Sequence, residues 1–306
     1  MSERDGVLVV DKTHGPTSHD VVAAVRRIFA MRRVGHCGTL DPVATGVLVV
    51  CLGAYTRLSD WFSKGDKEYE TVFFFGARSD TGDRQGQILP SADQSMPSLE
   101  AVTSALAGFK GQIQQVPPAY SAVKVAGVRS YKLARRQQPV ALDPRPVEIK
   151  SIEVLAFEAP RLSLRIRCSR GTYIRSLAVD LGEALGCGAY VEELRRLRVG
   201  ELNLGQAHTL GQLRELAEQD CLDETLVPVQ QALGSLPSFS LDLPESQVFT
   251  QGGTMRPAGG ESAAGECAVY GVDGRLLGIG NLAGGSLRPL KVFVSQARLA
   301  ESGSVR

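Results

Sequence analysis

The segment GTLDPVATGVL at residues 38–48 constrains this chain more than any other, because it sets a carboxylate in a turn whose two flanks differ in stiffness. Gly38 lacks a Cβ and tolerates backbone angles closed to other residues. Pro42 locks its own φ and pushes the preceding residue, Asp41, toward an extended conformation. The acid is therefore aimed by its backbone. The apolar run 47–52 reads as a buried strand or the start of a helix, so the loop hangs on packed structure. Catalytic groups concentrate on loops held this way. Taken alone, an Asp before a Pro equally fits a turn former that caps nearby amides.

The wider composition narrows the class. With 306 residues, 43% hydrophobic and 22% charged, the chain suits a soluble globular protein with one large and one small domain, or two of ordinary size. No apolar run approaches the length of a membrane span. The charged start MSERDG lacks a secretory stretch, so a cytoplasmic location is expected. Cys37, Cys51, Cys168, Cys187, Cys221 and Cys267 form no CxxC pair and have no histidine ligand pattern beside them, so neither a disulfide framework nor a zinc site is expected. A Walker loop, a GxGxxG turn and an HExxH helix are also missing. The acidic stretch SDTGDRQG at 79–86 lacks full calcium-loop spacing and reads as a turn.

Net charge is only +1, yet the bases gather in acid-free stretches. Arg26, Arg27, Arg32 and Arg33 lie within 21–38, and six bases lie within 110–142. Arg161, Arg165, Arg167, Arg170 and Arg175 follow within 161–179, and then Arg195, Arg196 and Arg198. Stripes of this kind on one face attract phosphates even when the molecule is near neutral. Each stripe by itself also fits a solvated surface.

Periodicity places these groups on elements. A short buried strand at 7–10 and a turn at Gly15 and Pro16 precede a helix capped by Thr17 or Ser18. Val21, Val22, Val25, Ile28 and Phe29 share its buried face, which leaves the four arginines toward solvent. A short helix is expected over 56–63, a strand over 68–76 with Tyr69 at its beginning, and a helix over 98–109. Two strand pieces within 112–125 flank Pro117 and Pro118. From 117 to 146 the rings of Tyr120 and Tyr131 alternate with Lys124, Arg129, Lys132, Arg135 and Arg136, a mixture suited to stacked bases and phosphates. Paired strands over 147–157 and 162–168 lead into a helix at 174–185, and helical spacing returns at 210–217 and 227–233. From about 237 short strand-like pieces alternate with Gly-rich turns, the texture of a small all-β module.

Four segments in order carry a family likeness: VVDKTHGPTSHDVV at 9–22, GHCGTLDPVATGVL at 35–48, KEYE at 67–70 and SRGTYIRSLAVDLG at 169–182. Together they resemble the TruB family of tRNA pseudouridine synthases, over nearly the whole chain. The resemblance implies an α+β fold: a pseudouridine-synthase core with a mixed, mainly antiparallel sheet flanked by helices over 1–235, and a small all-β PUA-like domain over 236–306. An RNA-gripping insertion is expected over about 110–146. The six bases and six acids of the C-terminal stretch lend the PUA likeness no support from charge.

The resemblance also distributes roles. Asp41 matches the family's essential aspartate, Arg175 the cation beside it, and Tyr69 the tyrosine that stacks on the flipped uracil and helps remove the C5 proton. Tyr173 and Leu194 match the pocket walls, and His36 matches a histidine that wedges into RNA. Arg32, Arg33 and Lys124 are assigned to the RNA backbone. Lys12, Gly15 and Ser18 fall in the first segment, which looks structural, and Thr13 departs from the proline more common there. The implied substrate is uridine 55 in the T-arm of tRNA, handled without an obligatory protein partner, by a monomer, with no cofactor or metal. The residues are compatible with Asp41 attacking C1′, adding to the base or abstracting a sugar proton. A guide-RNA-dependent relative and a catalytically silent RNA-binding protein are the alternative readings; Asp41 weighs against the second.

Overall fold

The computed structural model describes residues 4–92, 95–121, 123–125, 127–134, 136, 138, 142–257 and 264–294. Arg135, and the parts 258–263 and 295–306 of the expected C-terminal module, lie outside these residues. The N-terminal half runs β1 (Gly6–Lys12), α1 (Ser18–Ile28), β2 (Val34–Cys37), β3 (Thr45–Leu52), α2 (Ser59–Lys64), β4 (Lys67–Phe75), a small hairpin of β5 (Ala77–Ser79) and β6 (Ile88–Pro90), α3 (Leu99–Ala107) and β7 (Gly111–Gln115). There follow a second hairpin of β8 (Lys124–Val125) and β9 (Val128–Arg129), α4 (Ser130–Ala134), β10 (Arg145–Glu158), β11 (Arg161–Cys168), α5 (Ile174–Ala184) and β12 (Ala189–Val199). After these come β13 (Leu202–Asn203), β14 (Ala207–His208), α6 (Leu210–Glu218), β15 (Leu226–Val227), α7 (Val229–Ala232), β16 (Ser238–Leu241), α8 (Leu243–Thr250), β17 (Gly265–Gly271), β18 (Leu276–Ala283) and β19 (Ser286–Val292).

Eleven strands form one mixed sheet in the order β14-β1-β3-β12-β4-β11-β10-β7, with β2 on β3, β13 on β12 and β15 on β1. Among the described residues of this sheet, β1–β14 and β3–β12 are the parallel pairs. The apolar run of β3 is explained by burial on both faces. Leu48, Val50 and Leu52 pack with Val21, Val22 and Val25 of α1 and Leu177 and Leu181 of α5. Val47, Val49 and Cys51 turn the other way, onto Ala268, Tyr270, Leu276 and Ile279 of a second sheet, β16-β17-β18-β19. That second sheet is the β module the C-terminal texture predicts. It also carries α8, capped by Asp242 and Glu245, which the alternation of strands and Gly-rich turns did not reveal.

Tertiary pairing overrides the charge stripes. Arg161 makes a two-pronged contact with Glu192 at 2.7 and 2.9 Å, Arg165 reaches Glu70 at 2.8 Å and Glu153 at 3.4 Å, and Arg167 reaches Asp66 at 3.5 Å. Glu70 lies directly opposite Arg165 on β4, Glu153 opposite it on β10, Glu192 one strand further along on β12, and Asp66 just before β4. Most of the 161–179 stripe is therefore a ladder of exposed ion pairs rather than a phosphate-facing surface.

Strands β3 and β12 touch at two registers, Thr45↔Arg195 and Gly46↔Arg196. Gly46 sits at φ +98°, and a Cβ there would run into the backbone of Arg196. We expect Gly46→Ala to cost at least ~2 kcal/mol, by adding left-handed strain to a backbone clash. Urea denaturation of the two proteins checks this, and equal midpoints would mean that the strands part without loss.

Candidate active site

The loop between β2 and β3 is built from beneath. Ser18, buried at the start of α1, donates to the Leu40 carbonyl and accepts from the Leu40 amide, both at 2.9 Å. The cap that starts this helix is Thr17, which closes a capping box with Asp20. Lys12, 1% exposed, directs its ammonium to the carbonyls of Thr13 and Pro16 at 2.9 Å and of Pro42 at 3.4 Å. Burial lowers its pKa to about 8, opposed by the charge of Asp41. On the far side Arg196 donates to the carbonyls of Val47 at 2.8 Å, Gly38 at 3.2 Å and Thr39 at 3.3 Å. These bonds grip the loop on both flanks of Asp41.

Asp41 is held from above by Arg175. The guanidinium Nε lies 2.9 Å from Oδ2 of Asp41 and 3.7 Å from Oδ2 of Asp83. Its other nitrogens donate to the carbonyls of Thr81 at 2.9 Å and Tyr120 at 2.8 Å. Arg175 is 5% exposed and Asp41 33%, so the cation is structural in setting while the acid still reaches solvent. The start of α5 that carries Arg175 is clamped by buried Gln115, which accepts from the Tyr173 amide at 2.7 Å and donates to the Tyr173 carbonyl at 3.0 Å. Ser176 adds a bond to the Val116 carbonyl. A planar fork with every nitrogen occupied fixes the carboxylate in one orientation.

A cavity of about 480 Å³ opens above this pair. Tyr69, Tyr173 and Leu194 line it with Asp41 and Arg175, so the five residues expected at the reacting base come together. Tyr69 is 8% exposed, and burial raises its hydroxyl pKa against the opposing charge of Arg196. Burial likewise raises that of Tyr173. His36, Arg32, Arg33 and Lys124 stand outside the cavity lining. His36 lies half-buried on β2 with its ring edge-on to His19, centroids 5.2 Å apart, and the other three are exposed.

Three site residues escaped the sequence reading. Arg196 belongs to a run of bases that resembles a solvated stripe, yet it is 2% exposed on β12, on the same side as Leu194. Its period-two spacing from a buried leucine was the available signal. Asp83 lies in the segment read as a turn; the turn is there, and it docks on β12 through the amides of Arg84 and Val191. Lys67 heads the KEYE segment and is buried in the cavity wall with its ammonium on the carbonyls of Ser63 and Gly65.

Comparison with known proteins agrees with this geometry. Residues 26–174 match the family model for the N-terminal domain of TruB family pseudouridylate synthases, and residues 175–234 match that for the C-terminal domain of tRNA pseudouridylate synthase B. The chain is 44% identical over 284 residues to tRNA pseudouridine synthase B of Dechloromonas aromatica (strain RCB), covering 92% of this chain and 93% of the relative. It is 47% identical over 238 residues to that of Solibacter usitatus (strain Ellin6076), covering 78% and 81%. Among solved structures, a crystal structure of a Cbf5-Nop10-Gar1 complex aligns with a TM-score of 0.76 at 26% identity, over 96% of this chain and 86% of that one. A structure of an H/ACA RNP bound to a substrate RNA containing 2′-deoxyuridine aligns at 0.73 and 25%, over 95% and 86%. Identity of this size across most of the chain, together with both domain matches, establishes that the protein belongs to the TruB family of pseudouridylate synthases.

Proposed function

We propose that this enzyme converts uridine 55 in the T-loop of tRNA to pseudouridine, with Asp41 as the reacting carboxylate. One observation carries the reading. Among the described residues, the one carboxylate lining the 480 Å³ cavity is held at 2.9 Å by a buried guanidinium, beside two rings and a leucine that match a flat base. The tRNA substrate follows from the similar proteins, which are tRNA pseudouridine synthases.

The isomerisation breaks the bond from uracil N1 to C1′, turns the base, forms the bond from C5 to C1′, releases the C5 proton and leaves N1 carrying a proton, with no net change in atoms or electrons. Arg175 keeps Asp41 oriented toward the sugar and base edge. Tyr69 stacks on the flipped uracil and places its hydroxyl for the C5 proton. Its raised pKa keeps that hydroxyl protonated at neutral pH, so it accepts a proton only as it gives up its own. Tyr173 and Leu194 exclude water, and His36 enters the space the base vacates. Arg32, Arg33 and Lys124 hold phosphates around the T-arm, whose unstacking costs a few kcal/mol.

The same reading divides the chain into a catalytic part, 1–235, with an RNA-gripping insertion at about 110–146, and a PUA-like part, 236–306. It sets the enzyme to work in the cytoplasm as a monomer without guide RNA. The higher identity to the tRNA enzymes than to the Cbf5 complex supports the guide-free branch.

Asp41→Asn should bind a T-arm hairpin as the parent does and lose at least ~10³-fold in turnover, measured by tritium release from C5-labelled uridine. Near-parental release would remove Asp41 from the chemistry. Tyr69→Phe should slow single-turnover formation about 10²-fold at unchanged affinity; an equal rate would make the hydroxyl dispensable. Replacing Arg32 and Arg33 by Gln should weaken binding and flatten its salt dependence by about 1 to 2 in log–log slope. An unaltered slope would return both to the solvated surface.

A further inference from the structure

The catalytic cavity is lined by four cations, Lys67, Arg170, Arg175 and Arg196, against the single carboxylate Asp41. Arg175 answers that carboxylate, and Arg196 is committed to three loop carbonyls. Lys67 and Arg170 are left, and among the described residues neither has a carboxylate within ion-pairing distance. The nearest acid in sequence, Asp66, is engaged by Lys150 at 2.7 Å and Arg167 at 3.5 Å. Lys67 places two of an ammonium's three protons on the carbonyls of Ser63 and Gly65, which leaves one donor. Burial, reinforced by the neighbouring charge of Arg196, lowers its pKa to about 8, so the charged form is held at a cost that an anion would relieve. Arg170 is exposed on the loop before α5, free to swing.

Ser63 and Arg170 also line a second cleft of about 390 Å³, shared with Trp61 and with two ion pairs, Lys64–Glu266 at 3.3 Å and Lys291–Asp60 at 3.7 Å. The two hollows therefore meet at one wall. A base that reaches Asp41 through the cavity mouth draws its own flanking phosphodiesters toward the exposed Arg170, with the buried Lys67 in the cavity wall.

We propose that Arg170, on the wall common to the catalytic cavity and the cleft beside Trp61, and Lys67, in the adjoining wall of the catalytic cavity, form a subsite for one phosphodiester flanking the target uridine. This rests on the reading of the enzyme as an RNA pseudouridine synthase. A phosphate there takes the free donor of Lys67 and a two-pronged contact from Arg170, anchoring the strand as the base turns. Neither side chain takes part in bond making.

The test uses synthetic T-arm hairpins in which the linkage 5′ or 3′ of the target uridine is an uncharged methylphosphonate, bound to the parent enzyme, Arg170→Gln, Arg170→Lys and Lys67→Gln. One of the two linkages should weaken binding to the parent about tenfold and leave Arg170→Gln unmoved, a non-additive cycle. Lys67→Gln should couple to the same linkage; if it fails to fold, the exposed Arg170 decides alone. Arg170→Gln should also flatten the log–log salt slope by about 0.7, and Arg170→Lys should restore the slope. Additive losses for both linkages, or none in the parent, would overturn the subsite. Absence of tritium release from the parent at saturation would instead overturn the functional reading, so the two failures are separable.

Discussion

A loop that offers a carboxylate to solvent cannot be held by that carboxylate, so its rigidity has to come from its carbonyls. Here two buried cations and one buried hydroxyl supply it. Lys12 and Arg196 approach from opposite flanks and Ser18 closes the middle, taking the carbonyls of Gly38, Thr39, Leu40, Pro42 and Val47. Burying two cations with only carbonyl partners is expensive. Their long-range neighbour Asp41 offsets part of that cost for Lys12. The exposed carboxylate thus helps stabilise the scaffold that presents it, and the loop, its supports and the acid form one electrostatic unit.

Above the loop, Arg175 joins three segments far apart in the chain: the Asp41 turn, the Ser79–Gly86 turn through Thr81 and Asp83, and the strand exit at Tyr120. Each contact uses a different edge of one planar group, so displacement of any partner tilts the carboxylate. This is preorganisation in the sense that matters for a unimolecular rearrangement, where little is gained by affinity alone.

Much of this was legible in the sequence, for identifiable reasons. Strands and helices with clean periodicity, such as β4, β10, β11, α1 and α5, announce themselves, and the Gly38–Asp41–Pro42 turn carries its geometry in its residue types. The cavity-lining set Asp41, Tyr69, Tyr173, Arg175 and Leu194 came from the likeness of four ordered segments to one family. What stayed hidden depends on pairing between remote strands. Arg161, Arg165 and Arg167 read as a free basic stripe because their acids, Glu192, Glu70 and Asp66, belong to neighbours only in the folded sheet. Arg196 read as surface because its inward face is set by register across β12 and β3, which no local window contains.

The rear wall of β3 has a consequence for how this enzyme can vary. Val47 and Val49, a few residues past Asp41, share one apolar cluster with Val7, Val9, Leu58 and Phe62 and with Ala268, Tyr270 and Ile279 of the C-terminal sheet. Amputating the C-terminal sheet would wet the underside of the very strand from which the catalytic turn springs. The two parts are bound to be inherited together, and drift in the distant sheet would register first as damage at the centre.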